Sequence, residues 1–400
     1  MAIILIITAG CGRNGKSNRQ HEDGIMVLTE DTLIREAPKE IFLTVDVSSQ
    51  YPLKELILQD IMDVEYIVLD NSDEFVCQGR VLDIGKKLIL IANTINDGDI
   101  FIFHRNGQGL RKINRKGQGP GEYTLLLLNV LLDEENGEIY VDDIFSRILV
   151  YDLYGFFLRS IEKGEARWGN TRNFNKEYLI CKELGSNITG EETDNQQFAL
   201  ISKQDGSVVK DFRVYFDNRV IYGITNRSGN AGGSPRRIPI VPYYDSWLLM
   251  EPSSDTVFKV SQEYIMTPFM ARTPPIRSMN PKIFLSPTIF TDRYYFMETV
   301  KLVYDPTNLE GFPKTNLIYD RRENTIFEYT ICNGDYPEKG AVNMTWMEAT
   351  NDEIAYWQKL EAYELIEAYN KGQLKGQLKE VAAKLDEDSN PVIMLVKYKK

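Results

Sequence analysis

Only two imidazoles, His21 and His104, occur in the 400 residues. A multi-histidine metal cage is therefore excluded, and any Ser-His-Asp triad has to run through His104. His104 closes the alternating run Phe101-Ile102-Phe103-His104-Arg105 with no Ser or Asp motif to partner it, so it reads as a half-buried structural histidine. Gly10-Cys11-Gly12-Arg13-Asn14-Gly15-Lys16-Ser17 satisfies G-x-x-x-x-G-K-S directly after an apolar run. A phosphate-cradling loop, however, needs its Lys and Ser to open an amphipathic helix whose N–H groups face the phosphates. Asn18 to Gly24 is polar on every side and ends at glycine, so the match is read as one without a nucleotide site. The four cysteines, Cys11, Cys77, Cys181 and Cys332, show neither zinc-site nor disulfide spacing. Cys77, Cys181 and Cys332 read as small buried hydrophobes, and no metal or other cofactor is expected.

The apolar run Ala2 to Thr8 leads into Ala9-Gly10-Cys11, a small-small-Cys ending that resembles the lipobox of bacterial lipoproteins, with Cys11 as the lipidated residue. Seven apolar residues are too few to span a bilayer, so a membrane is reached only through the lipid. The expected layout is a signal peptide and tether at 1–20, a linker at 21–39 and one domain at 40–400. The expected place is the cell envelope, lipid-anchored, periplasmic or surface-exposed. The first twenty residues hold Arg13, Lys16 and Arg19 and no acid, which leaves 43 bases against 58 acids in the remainder. Such a surface repels a phosphate backbone, so no nucleic-acid partner is expected. With 43% hydrophobic and 26% charged residues, 16 Pro and 28 Gly, the composition is that of a globular domain and excludes disorder and collagen.

From residue 40 onward, short β-rich runs alternate with turn residues, and helical periodicity appears only near the C-terminus. One copy is Gly137 to Asp143, Arg147 to Asp152 and Gly155 to Leu158, three strands and two tight turns. Turns marked by Gly107, Gly155, Gly206, Gln262 and Glu323 fall 48, 51, 56 and 61 residues apart. A repeat of about 50 residues that holds four strands is one propeller blade. The fold class is therefore all-β: a six-bladed β-propeller with a C-terminal helical insertion in the last blade. The blades are placed at Glu65 to Lys116, Glu122 to Glu162, Asn170 to Val214, Arg237 to Met270, Phe284 to Ile331 and Ala341 to Tyr398. Val392 to Val396 is expected to pair with Ile41 to Val47, which closes the ring and removes two sheet edges. In the insert at 361–390, Leu374, Leu378, Val381 and Leu385 form one apolar stripe that has to be buried, with a lid over the propeller face as the expected outcome.

Gly117-Gln118-Gly119-Pro120-Gly121-Glu122-Tyr123, then Ile139 to Asp142, Arg147-Ile148 and Tyr151 to Gly155, resembles the six-bladed β-propeller lipoproteins of Bacteroides-type bacteria, relatives of NHL-repeat proteins. The ending Leu385 to Met394 is similar to that family's. The resemblance implies a cell-envelope propeller without an assigned activity.

In a propeller, the connections between blades and those joining second to third strands emerge on one face. The long connections of this chain fall in that class, so the ligand site is expected there. Glu122 and Tyr123 are expected near the channel mouth, although Gly117 to Tyr123 reads first as a structural corner. Asp142 or Asp143 with Arg147 flanks a hairpin and suits a turn-stabilising pair better than a ligand contact. Arg227, Arg236 and Arg237 lie in a flexible basic stretch that could meet an anionic sugar or carboxylate. Trp168, Tyr243, Tyr244 and Trp247 fall near strand ends where a ring could stack on a sugar. The expected function is a non-enzymatic binding scaffold for a carbohydrate, peptide or envelope protein. The rival is a metal-dependent propeller hydrolase, lactonase or lyase, with Glu122, Asp143 and Glu251 as its first candidates.

Overall fold

The computed structural model describes residues 43–399 except the segments 94–96, 125–128, 144–146, 165–167, 185–194, 226–231, 236–237, 305–310, 338–339 and 342–350. Three strands and one helical turn precede the blades: β1 Leu43–Asp46, β2 Leu53–Ile57, α1 Leu58–Ile61 and β3 Met62–Val68. Blade I is β4 Arg80–Ile84, β5 Leu88–Ala92, β6 Asp99–His104 and β7 Gly109–Asn114. Blade II is β8 Val130–Asp133, β9 Glu138–Asp143, β10 Arg147–Asp152 and β11 Phe157–Glu162. Blade III is β12 Gly169–Asn173, β13 Tyr178–Lys182, β14 Asn195–Ser202 and β15 Val208–Tyr215, after which β16 Ile224–Thr225 pairs with β17 Gly232–Gly233. Blade IV is β18 Ile240–Tyr243, β19 Ser246–Leu249, β20 Thr256–Val260 and β21 Met266–Thr273. Blade V is β22 Ile283–Phe290, β23 Tyr294–Lys301, β24 Lys314–Asp320 and β25 Thr325–Asn333, with β26 Gly340–Ala341 against β25. Blade VI holds β27 Ile354–Leu360 and β28 Val392–Tyr398, separated by α2 Ala362–Asn370 and α3 Gly376–Ala382. The fold is a six-bladed β-propeller, as the repeat predicts.

Two-residue alternation explains why each blade needs two neighbours. In β5, Leu88, Leu90 and Ala92 pack with Ile139, Val141 and Leu149 of blade II, whereas Ile89 and Ile91 pack with Ile354, Ile393 and Leu395 of blade VI. A strand buried on both faces reads as a continuous apolar run, and Leu88-Ile89-Leu90-Ile91-Ala92 is one. The seams II/III, III/IV, IV/V and V/VI have equivalent cores. Burying a Leu or Ile side chain contributes about 1.5–3 kcal/mol, so the seams rather than the blades are the units of stability.

Ring closure differs from the sequence expectation. Strand β28 pairs antiparallel with β3, in a register that sets Val392 opposite Val68 and Tyr398 opposite Met62. The described part of the expected partner, β1, instead lies parallel to β21 on the outside of blade IV, with Leu43 and Val45 in the IV/V core. Strand β2 lies parallel to β25 on the outside of blade V. The N-terminal segment thus lays one strand on each of blades IV, V and VI, and only the last completes a blade. Blade I correspondingly starts at Arg80, and Glu65 belongs to blade VI. Apolar alternation suits 41–47 for an outer strand but does not say of which blade.

The turn from third to fourth strand contains a residue at positive φ in each of blades I to V: Gly107 (87°), Gly155 (81°), Gly206 (76°), Tyr264 (63°) and Asn324 (50°). At Gly107 a second constraint applies, because a Cβ there would stand 1.9 Å from the Val68 carbonyl oxygen of β3. The glycine repeat fades after blade III because the later blades hold the same conformation with a Tyr and an Asn.

Turns from first to second and from third to fourth strands run two to five residues in blades I to V, whereas the other connections reach 31 residues between β27 and β28. The helical insert accounts for that length. Leu365, Leu374, Leu378 and Ala382 pack with Leu56, Leu58, Met62 and Tyr66, so the helices cover the N-terminal strands at the V/VI seam. The expected apolar stripe is buried, with Val381 and Leu385 partly so, but against that flank and not as a lid over the channel. Leucines on this face find the nearest unpartnered apolar surface, which α1 and β3 provide.

Candidate functional site

Gly117 to Tyr123 forms a self-satisfied corner. The Gly119 N–H donates to Glu122 Oε2 (2.8 Å), and Arg147 donates from Nη1 to Pro120 O (2.8 Å) and from Nη2 to Glu122 O (3.3 Å). Arg147 faces Asp143 across the β9–β10 hairpin, Nε to Oδ2 3.5 Å, and Asp143 also accepts the Thr124 N–H. Tyr123 is fully buried between blades I and II; its hydroxyl donates to Gly98 O (2.6 Å) and accepts the Arg115 N–H (2.9 Å). Burial pushes that phenol up to about 12. The expected position of Tyr123 near the channel mouth is therefore corrected: its ring fills the I/II core against Tyr151 at 6.0 Å. Glu122, Asp143 and Arg147 come together as a group whose polar atoms serve the corner. Arg227, Arg236, Arg237 and Cys11 lie outside the described residues. Glu251 is buried on Lys182 (3.2 Å), a separate pairing from those of Glu122 and Asp143. Among the described residues no three His, Cys, Asp or Glu side chains gather as a metal site would require.

The main cavity opens at the face of the short turns. It measures about 770 Å³ and is lined by blades I, II, III, IV and VI, through Arg80 to Lys86, Asn129 to Glu135, Arg172 to Asn175, Tyr244 to Trp247 with Gln262, and Asn351-Asp352 with Trp357. An adjoining cavity of about 640 Å³ shares Lys86, Tyr244, Asn351 and Asp352 and adds Asp292 and Arg293 of blade V. First-to-second-strand turns from blades I to V therefore frame one funnel with Asn351 to Glu353, the turn before β27. There Asn351 Oδ1 accepts the Glu353 and Ile354 N–H groups (2.9 Å each), the arrangement Asn175 makes with Glu177 and Tyr178. Arg80 opens β4 and Asn129 immediately precedes β8, so the funnel runs the length of the inner strands.

Side chains staple the inner strands together around this funnel. Asp83 accepts the Leu132 N–H (2.7 Å) and its neighbour's at Ile84 (2.8 Å), which joins blades I and II. Burial pushes the Asp83 carboxyl up to about 6 against the pull of those two N–H groups. Asn129 donates to Thr171 O (2.7 Å) and Asn173 to Leu132 O (2.9 Å), which joins II and III; Asn351 donates to Ile84 O (2.8 Å), which joins VI and I. Glu134 accepts the N–H groups of Lys86, Lys87 and Leu88 at 2.7–2.9 Å. Lys203 reaches Asp133 (2.6 Å), a buried ion pair between blades III and II. Lys86 and Asp352 make an exposed pair at the rim (3.2 Å).

Four rings line the wall, Phe174, Tyr244, Trp247 and Trp357. Tyr244 is half-exposed at positive φ, and Trp247 and Trp357 are more buried. Two buried polar atoms of the wall, Arg80 Nη1 and Asn173 Oδ1, have no hydrogen-bond partner among the described residues. Of the aromatics expected near strand ends, Tyr244 and Trp247 reach the funnel, while Trp168 and Tyr243 pack in the II/III and IV/V seams. Loop length misdirected the search for the rest. A usable signal was an Asp, Asn or Glu in the short turn just before an apolar strand, as in Asp133-Glu134, Asn175, Asp245, Asp292 and Asn351-Asp352.

The chain is similar to a solved protein of Bacteroides fragilis NCTC 9343 named "Putative exported protein", with 16% identity and a TM-score of 0.55 over 90% of this chain and 99% of that one. More distant likenesses are the Pan2 WD40 domain of Neurospora crassa (10% identity, TM-score 0.36, covering 70% of this chain and 79% of that one) and virginiamycin B lyase of Staphylococcus aureus (10%, 0.31, covering 67% and 88%). No curated protein matches the chain. Residues 42–397 match the model of a domain of unknown function, DUF4934, and the chain belongs to that family.

Proposed function

We propose that this propeller is a non-enzymatic binding scaffold of the cell envelope, and that its funnel at the short-turn face receives a carbohydrate, a peptide or a segment of an envelope protein. The observation that carries the reading is the cavity itself: about 770 Å³, framed by five blades, with four aromatic rings among amide and carboxylate groups. A ligand site is usually a preformed concavity of 300–1,000 Å³ with a few placed polar groups, and this one is held rigid by the staples between inner strands. Export and lipidation at Cys11 complete the proposal; the small-small-Cys ending and the name of the Bacteroides fragilis protein support them.

Two experiments test it. Trp247 and Trp357 both line the funnel, so titration with a panel of oligosaccharides and peptides should change tryptophan fluorescence saturably for one class, and Trp357→Ala should abolish that response. A ligand that saturates the protein with identical affinity for parent and Trp357→Ala counts against the funnel. For the anchor, radiolabelled palmitate should enter the full-length protein expressed in a Gram-negative host and not its Cys11→Ala variant; equal labelling of the two removes the lipidation proposal.

A further inference from the structure

We infer that the funnel is a receptor for an acidic oligosaccharide, with Arg80 taking the carboxylate of a uronic-acid residue and Asn173 Oδ1 accepting a hydroxyl farther along the same chain. The inference rests on the reading of the funnel as the binding site and names the ligand class. Arg80 stands at the inner end of the funnel, where β4 begins, and its guanidinium has no ion pair or hydrogen bond among the described residues, with Nη1 buried. The side chain is half-buried, with Nη1 cut off from both water and partner, and a guanidinium is shaped for two parallel bonds to a carboxylate. Asn173 Nδ2 is engaged on Leu132 O, which leaves Oδ1 as an unpaired buried acceptor in the same cavity, on blade III at the short-turn end. One free cation and one free acceptor match a ligand that brings a single negative charge and a hydroxyl.

The surroundings narrow the class further. Asp83, Asp133 and Glu134 line the same wall, so a multiply charged phosphate would meet repulsion that a monoanion largely avoids. A peptide binding by strand addition would have to pair with an inner-strand edge. Side chains from neighbouring blades already hold the Leu132 N–H and the carbonyls of Leu132, Thr171 and Ile84. Tyr244, Trp247 and Trp357 place aromatic surface along the cavity, suited to the apolar side of a pyranose, which leaves its hydroxyls to the amides.

Isothermal titration of the full chain with a disaccharide of one uronic-acid and one neutral residue, which carries a single carboxylate, with its methyl ester and with a hexapeptide carrying a free C-terminus tests this. The acid should bind the parent roughly 10- to 100-fold more tightly than the ester, the span of a charge-assisted hydrogen-bonded contact. Arg80→Gln should bind acid and ester alike. Without ligand, Arg80→Met should melt no lower than the parent, because it removes an unpaired charge. Equal binding of acid and ester by the parent, or a preference retained in Arg80→Gln, overturns the inference. If acid and ester bind equally and Trp357→Ala abolishes both, the funnel reading stands and the carboxylate assignment falls. Binding of the peptide without either sugar overturns the sugar class, and no binding of any probe overturns the inference as a whole.

Discussion

Ile67→Ala is the sharpest test of how the ring closes. Ile67 sits in β3 opposite Ile393 of β28, 3% exposed, in the core that also holds Ile89, Ile91, Phe101 and Phe103 of blade I. The substitution removes three methyl or methylene groups, about 2.4 kcal/mol at about 0.8 kcal/mol each, and the space left between two blades adds to that. The expected loss is therefore about 3–4 kcal/mol. Its neighbour Val68 is 38% exposed, so Val68→Ala should cost under about 1 kcal/mol in the same strand. Equilibrium urea unfolding followed by tryptophan fluorescence and circular dichroism measures both, with the midpoint shift read at constant slope. If Ile67→Ala unfolds within about 0.5 kcal/mol of the parent, β3 is a peripheral strand and the closure by β3 and β28 is wrong.

Two further outcomes follow from buried groups. Asp320 is fully buried; burial opposes its charge, but Arg293 (2.8 Å), Lys54 (2.7 Å) and the N–H groups of Arg322 and Glu323 outweigh it and hold the carboxyl below its usual range. A depressed carboxyl contributes stability that is present above the unfolded pKa of about 3.9 and lost as pH falls below it, so Asp320→Asn should flatten the acid limb of the stability–pH curve. At pH 7 Lys54 and Arg293 lose the buried carboxylate but keep Glu323 (2.6 and 3.3 Å), so the change should cost about 1–3 kcal/mol by thermal unfolding; an unchanged curve refutes the clamp. Tyr123→Phe leaves Gly98 O and the Arg115 N–H without their shared hydroxyl and should cost about 1–3 kcal/mol, measured in urea, while leaving ligand affinity unaltered. A loss of affinity at unchanged stability would return Tyr123 to the binding site.

The sequence was legible wherever one local rule determined the outcome. Alternation in Leu88 to Ala92 marks a strand buried on both sides, and Gly107, Gly155 and Gly206 mark a turn that needs positive φ, so blade count and turn positions could be read directly. Of the two acids read as partners of Arg147, Asp143 is the one the hairpin sets opposite it, while Asp142 pairs with Lys163. Closure was misread because Leu43 and Val45 carry the same alternation as an outer strand of any blade, and the choice between blades IV and VI depends on seams formed far away in sequence. The funnel was missed for a related reason. Its residues come in ones and twos from the inner strands and short turns of different blades, and only the circular arrangement brings Arg80, Asn173, Trp247 and Trp357 around one cavity.

Comparing two variants decides between the two faces. Trp357→Ala alters the funnel, and deletion of residues 226–231 shortens a connection of the opposite, loop-rich class. Affinity for the oligosaccharide or peptide that the fluorescence panel selects is measured for both by calorimetry, with melting temperatures as the folding control. Loss of at least about tenfold in Trp357→Ala, with parental affinity in the deletion, is the predicted result. The reverse pattern, parental affinity in Trp357→Ala and loss in the deletion, contradicts the account and moves the site to the long loops.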